Sequence, residues 1–386
     1  MENKKIKVKN KKLNKQQPIN ETQPTNETQP TNETQSINET QSINETQSIN
    51  ETQIKKYTFI EVCAGAGGLS SGLIKSGMTP IILNDNNKDC CKTLELNHKD
   101  LIDTNNLKIV CDSLTNIDLK EYKGRIDLLT GGVPCQSYSL AGDRKGLNDP
   151  RGDLMLKFAN LIETVEPKIF MIENVKGLIS HDNGNTLKKI IENLNKQNKY
   201  TIIYKVLNSV NFGVPQKRER IFIIGTLNIE NINYEFPKED DKIITVGEAL
   251  LNVPLSDGAL YSESKKKYFS LIPEGGCWIN LPEDKQKEYL MASYESGGGK
   301  RGILHRLSNS KPSLTLLCSP SQKQTERCHP TEIRPLRIRE YARIQTFDDT
   351  YKFYGSLSSQ YKQIGNAVPV ELARRVGLSI IKCLSK

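Results

Sequence analysis

The chain has 386 residues, 26% of them charged and 36% apolar, with a formal net charge of +9 at pH 7. That length suits two domains with proper cores, and no apolar run is long enough to span a bilayer or serve as a signal segment. Nine scattered cysteines with no CxxC pair, and four histidines with none at zinc-finger spacing from a cysteine, exclude a disulfide framework and a metal site. Reduced thiols in a cytoplasmic compartment are expected.

Residues 1–53 hold seven lysines and seven glutamates, so the whole positive excess lies in 54–386. A basic folded body suits a polyanion partner, and equally a merely soluble basic protein. Positions 18–53 are tandem hexapeptides: PINETQ, PTNETQ twice, then SINETQ three times. They carry no periodic apolar face that could offset the entropy of ordering. The segment 1–53 is expected to be disordered, a lysine-rich head on a low-complexity tether.

From Tyr57 the pattern changes. Positions 57–63 read as a buried strand, followed by a Gly-rich turn and a helix over about 69–76. Strands follow at about 80–83, 108–110, 126–129, 169–172, 201–207 and 221–225, and helices at about 86–97, 153–164 and 186–195. This alternation predicts a doubly wound, mainly parallel α/β sheet. From about 228 to 333 the alternation fails, and Pro254, Pro273, Gly275-Gly276, Pro282 and Gly297–Gly299 mark a smaller, turn-rich domain. Helical patterns return at 338–347 and 371–384.

Chemistry concentrates at the carboxyl ends of these strands, where open α/β sheets bind their ligands. Cys135 follows the strand at 126–129 in the sequence GGVPCQSYS. On that stretch alone it is either a thiolate nucleophile or an inert buried thiol. Glycines in Glu61–Gly68 (EVCAGAGG) allow close backbone approach to a ligand and open a helix. Asp85 stands about 20 residues on, where an acid accepts ribose hydroxyls or caps a helix. Asp112 follows the third strand and could bind an adenine amine. The GAGG turn is not a GxGxxG pyrophosphate cradle and points to a nucleoside without phosphates.

GGVPCQSYS, Glu173-Asn174-Val175, Gln216-Lys217-Arg218-Glu219-Arg220, Arg334–Phe347 and Gln363–Pro369 (QIGNAVP) stand in one order and spacing. Over about 57–386 this set resembles the DNA (cytosine-5) methyltransferases of prokaryotic restriction–modification systems. The resemblance implies the S-adenosylmethionine-dependent methyltransferase fold with an irregular target-recognition domain. It divides the chain into a catalytic and cofactor-binding domain (54–227 plus 358–386) and a recognition domain with hinge (228–357).

It further implies methylation of cytosine C5 within a short duplex DNA sequence, after the base is rotated out of the stack. Cys135 would add to C6 and make C5 nucleophilic. Glu173 would hold N3 of the base, Arg218 its O2, and Arg220 the same pocket or its phosphate. S-adenosyl-L-methionine contacts carry over to Ala64, Gly65, Gly67, Gly68, Asp85, Asp112, Gly132, Pro134, Leu154, Asn366 and Ala367. Cys63 stands where the family often has phenylalanine, and Asn86 where it has a large apolar residue, so adenine packing there is expected to differ. Glu61 for aspartate and Tyr138 for phenylalanine are milder departures.

The polar loop Ala141–Gly152 resembles the family's closing catalytic loop. Lys300, Arg301, Arg306, Gln322, Lys323 and Gln324 are candidates for DNA contact, most of them to phosphates. The expected partner is double-stranded DNA, bound by a monomer, with a restriction endonuclease as functional counterpart. The competing readings are a tRNA cytosine-5 methyltransferase, a non-catalytic DNA-binding relic and a nicotinamide dehydrogenase. The recognition domain disfavours the first, the intact motifs the second, and the GAGG turn the third.

Overall fold

A computed structural model describes residues 56–134, 153–230, 233–295, 302–322 and 326–386. The tether 1–53, Cys135, the loop 141–152, and Lys300, Arg301, Lys323 and Gln324 lie outside the described residues.

Seven apolar segments form one sheet. The strands are β1 (Thr58–Val62), β2 (Thr79–Asp85), β3 (Lys108–Cys111), β4 (Leu128–Gly131), β5 (Ile169–Val175), β6 (Tyr200–Asn208) and β7 (Glu219–Leu227). Their order is β3-β2-β1-β4-β5-β7-β6. All neighbours pair in parallel except β7, which runs antiparallel to both β5 and β6. β6 and β7 are joined by only ten residues, too few for the crossover a parallel pair needs.

Central strands are buried on both faces, which is why they read as continuous apolar runs. Successive side chains feed opposite cores. Phe59, Met171 and Ile224 face one core with helices α1 (Gly68–Lys75), α2 (Lys88–Asn97) and α7 (Val370–Leu384). Ile60, Ile172 and Ile223 face the other with α3 (Asp153–Val165) and α4 (Asn185–Leu194).

The middle region is irregular but not coreless. Short helices at Glu263–Phe269 and Glu283–Leu290 help bury Tyr261, Phe269, Trp278, Leu290 and Leu304 in a cluster of their own. Another cluster joins Leu307, Leu316 and Leu336 to helices α5 (Ile338–Ile344) and α6 (Leu357–Asn366). Residues 54–386 cluster as one compact unit. Several details differ from the sequence reading, β5 running three residues further, to Val175, and α5 stopping at Ile344. β4 starts and ends two residues later, reaching Gly131, and α6 was not anticipated in a stretch carrying Gly365 and closed by Pro369.

α1 and α7 approach closely because Gly72 has no side chain. A Cβ there would meet Ala373 Cβ at 2.3 Å and the Val370 carbonyl oxygen at 2.5 Å. Gly72→Ala is therefore expected to destabilise the fold by about 1–3 kcal/mol through overpacking, measured by urea denaturation. An unchanged midpoint and slope would contradict this packing.

Candidate active site

The parallel strands β1, β2, β4 and β5 end along one edge of the sheet. A cleft of about 830 Å³ opens there, and α6 closes its far side with Gln363, Asn366 and Ala367.

One half of the cleft is built on the turn after β1. Cys63 takes a left-handed conformation (φ 53°), unusual for a side-chain-bearing residue, and Gly65 follows at φ 57°. Gly65 has nothing within 4 Å of where a Cβ would stand, so its backbone is open to the cleft. Asp85, at the end of β2, holds this turn: one carboxylate oxygen accepts the Gly65 N–H at 2.8 Å and the other the Asn87 N–H at 2.9 Å. Burial raises the Asp85 pKa, and those two N–H donors oppose the rise. Glu61 is 1% exposed, and its Oε2 has no hydrogen-bond partner among the described residues. Burial pushes its carboxyl up to about 8. Ala64, Gly132, Pro134 and Leu154 also line this half.

Three expected cofactor contacts stand elsewhere. A Cβ on Gly67 would lie 2.7 Å from both Leu94 Cδ2 and the Tyr351 hydroxyl, and one on Gly68 would lie 2.3 Å from the Val368 carbonyl oxygen. These two glycines serve packing at the start of α1 and do not line the cleft. The Asp112 side chain is exposed and accepts from Ser113 N–H and Asn116 Nδ2 at 2.6 and 2.9 Å, while Ser113 and Leu114 line the cleft.

The other half is built on β5 and β7. Glu173 lies near the end of β5 with its side chain 11% exposed, 3.0 Å from Arg220 Nε. Arg220 pairs with Val175 in the antiparallel register, which sets it diagonally from Glu173 on the same face. Burial raises the Glu173 pKa, and the charges of Arg220 and then Arg218 hold it back. Asn174 Nδ2 donates to the Val133 carbonyl at 2.8 Å, fixing the backbone that leads through Pro134 to Cys135.

Arg218 departs from its expected place. It precedes β7, beside a short parallel pairing of Gln216–Lys217 with Ser313–Leu314. Its Nη1 and Nη2 donate to the Leu316 and Asn366 carbonyls at 3.2 and 3.3 Å. Arg218 is 1% exposed and lines the cleft, but the guanidinium paired with Glu173 is that of Arg220. Sequence reasoning also missed Cys318, whose thiol donates to Asn366 Oδ1 at 2.9 Å in the cleft wall. Nothing in its local sequence marks it. Arg306 donates to three carbonyls, those of Pro330, Ile272 and Thr331, and so has a structural role.

Neither Glu61 nor Asp85 has an ion-pair partner among the described residues. The Asp85 carboxylate beside open glycine backbone fits the hydroxyls of a nucleoside's ribose. Among the described residues no group of His, Cys, Asp or Glu could hold a metal, and no helix is long and apolar enough to cross a membrane.

A doubly wound, mostly parallel seven-stranded sheet with one antiparallel strand is the fold of the S-adenosylmethionine-dependent methyltransferases. The chain belongs to the C-5 cytosine-specific DNA methylase family, whose profile matches residues 57–382. It is 45% identical over 340 residues to the Type II methyltransferase M.Eco47II of Escherichia coli, spanning 86% of this chain and 80% of that one. It is 46% identical, over the same shares, to the Type II methyltransferase M.PspPI of Psychrobacter. The fold matches that of the Entamoeba histolytica methyltransferase EhMeth, with a TM-score of 0.60 at 18% identity over 86% of this chain and all of that one. The chain is thus a DNA (cytosine-5-)-methyltransferase.

Glu61 gives a pH signature. Unfolded, its carboxyl ionises near 4.5; folded, near 8. The folded state therefore binds more protons across that window and loses stability as pH rises through it, by up to about 1.4 kcal/mol per pH unit. Glu61→Gln is expected to show a stability gain that is absent below pH 4.5 and grows towards pH 8, in urea melts across that range. A difference flat in pH would contradict this.

Proposed function

We propose that this enzyme uses S-adenosyl-L-methionine to methylate C5 of a cytosine within a specific short sequence of duplex DNA. The observation that carries the reading is the Glu173–Arg220 pair, set in the same cleft as the Gly65–Asp85 turn and beside the backbone leading to Cys135.

Ala64, Gly65, Gly132, Pro134, Leu154, Asn366 and Ala367 would hold the donor, with Asp85 on its ribose. When bound, the donor supplies an electrophilic methyl group on a sulfonium. The rest is done by the chain. A cytosine inside a duplex is out of reach, so it is rotated into the cleft at a cost of a few kcal/mol. The Cys135 thiolate adds to C6, and the electron pair displaced from the C5–C6 bond makes C5 nucleophilic. Glu173 holds a proton at N3 and Arg220 faces O2, so charge is relieved as it develops. A carboxyl whose pKa is raised by burial suits that task. After C5 is methylated, loss of its proton expels the Cys135 thiolate and restores the aromatic ring.

The 228–357 segment serves as recognition domain, and 54–227 with 358–386 as catalytic domain. The likeness to Type II methyltransferases supports a role in shielding host DNA from a partner endonuclease.

Duplex DNA, but not tRNA, is expected to gain labelled methyl from the donor. Duplex DNA carrying 5-fluorocytosine at the target is expected to form a covalent adduct with wild type and none with Cys135→Ser, whose donor affinity stays unchanged. An adduct that survives the substitution would place the nucleophile elsewhere.

A further inference from the structure

The cleft gives the donor a direction. On the reading above, its methyl group faces the Glu173–Arg220 side, at the ends of β5 and β7, and its ribose lies on Asp85, at the end of β2. The strand order β3-β2-β1-β4-β5 then leaves the base of the nucleoside over the end of β3. Ser113 and Leu114, in the turn that follows β3, line the cleft. No phenylalanine, tyrosine or tryptophan lines it among the described residues, and Cys63, Asn86 and Asn87 do. A base with no aromatic ring on its face lacks that stacking energy, so its polar edge has to supply the grip.

Asn84 holds the turn that meets this edge. It is 1% exposed, and its Nδ2 donates to the Val110 carbonyl at 2.9 Å and to the Asp112 carbonyl at 2.8 Å. Val110 is its partner in the parallel register, and Asp112 lies one residue past the end of β3. The side-chain amide thus carries the tie between β2 and β3 beyond the last strand residue. Both bonds belong to the side chain, whereas the Asn84 main-chain carbonyl accepts the Ala64 N–H at 2.8 Å and would keep that bond in a variant. The polar bonds within the turn are local: Asp112 accepts from Ser113 and Asn116, and Ser113 from Thr115. Leu114 packs into the core below, and Asn84 ties the turn to the sheet.

We infer that Asn84 is a positioning residue for the methyl donor: its amide fixes the Asp112–Leu114 turn at the place where the turn reads the polar edge of the donor's base. The inference rests on the S-adenosylmethionine-dependent reaction proposed above.

Isothermal titration of the full chain with S-adenosylhomocysteine and with S-inosylhomocysteine, whose 6-oxo group replaces the 6-amino group, tests it. Wild type is expected to prefer the adenine ligand at least about tenfold, as a site that hydrogen-bonds a polar edge rejects the altered one. Asn84→Ala is expected to lower that preference at least about fivefold, the scale of one net hydrogen bond, mainly by weaker binding of the adenine ligand. Asn84→Leu keeps nearly the same shape without a donor and is expected to lose the preference equally. A smaller loss in Asn84→Ala, or a wild-type preference in Asn84→Leu, would assign Asn84 to packing and overturn the inference. If Asn84→Ala fails to fold, Asn84→Leu is held to the same threshold. A wild type that binds both ligands equally overturns this inference and leaves the proposed reaction standing; a wild type that binds neither overturns the donor reading, and this one with it.

Discussion

Glu173 lies near the end of β5, where every earlier residue of the strand is buried, and a carboxylate there has little water to solvate it. An isolated charge in such a place is costly, and Arg220 at 3.0 Å offsets it. That pairing constrains the sheet. Arg220 reaches Glu173 only because β7 runs antiparallel beside β5 in the register that sets it opposite Val175. A slip of one residue would turn the guanidinium to the other face. The register is held on both sides, by seven pairs to β5 and nine to β6.

The 313–345 stretch is tied to this side of the cleft through buried amides. Gln216 accepts the Leu316 N–H at 2.8 Å and donates to Gln345 Oε1 at 2.9 Å, and Gln345 donates to the Ile364 carbonyl at 2.7 Å. Arg218 adds its bonds to Leu316 and Asn366. These bonds join the start of β7, the 313–318 stretch and the end of α6 into one wall of the cleft. Apart from Arg218 Nε, which has no hydrogen-bond partner among the described residues, these buried groups are matched with specific partners, so the wall has few alternative arrangements.

Much of this was legible in the sequence. Central strands announce themselves as apolar runs, and the turn after β1 by its glycines. Glu173 and Asn174 stood out by following such a run. The rest depends on pairing that no local pattern states. The direction of β7, and hence the partner of Glu173, is a property of the assembled sheet. Arg218 and Arg220 are the same residue type two positions apart, and only the side pairing of Gln216–Lys217 separates their fates. Gly67, Gly68 and Asp112 lie beside cleft residues in sequence, yet packing and local turns claim them. The middle region hid its core because Tyr261, Trp278 and Cys328 come together without periodicity.

The proposed chemistry turns on the Arg220 guanidinium, held by Glu173, acting on the reacting base rather than on the donor. Single-turnover methyl transfer to duplex DNA by Arg220→Ala tests it most directly. The account predicts a rate at least about 100-fold below wild type, the scale of losing one preorganised donor, with donor affinity nearly unchanged in the folded variant, whose urea midpoint falls because Glu173 loses its partner. A rate close to wild type would contradict it.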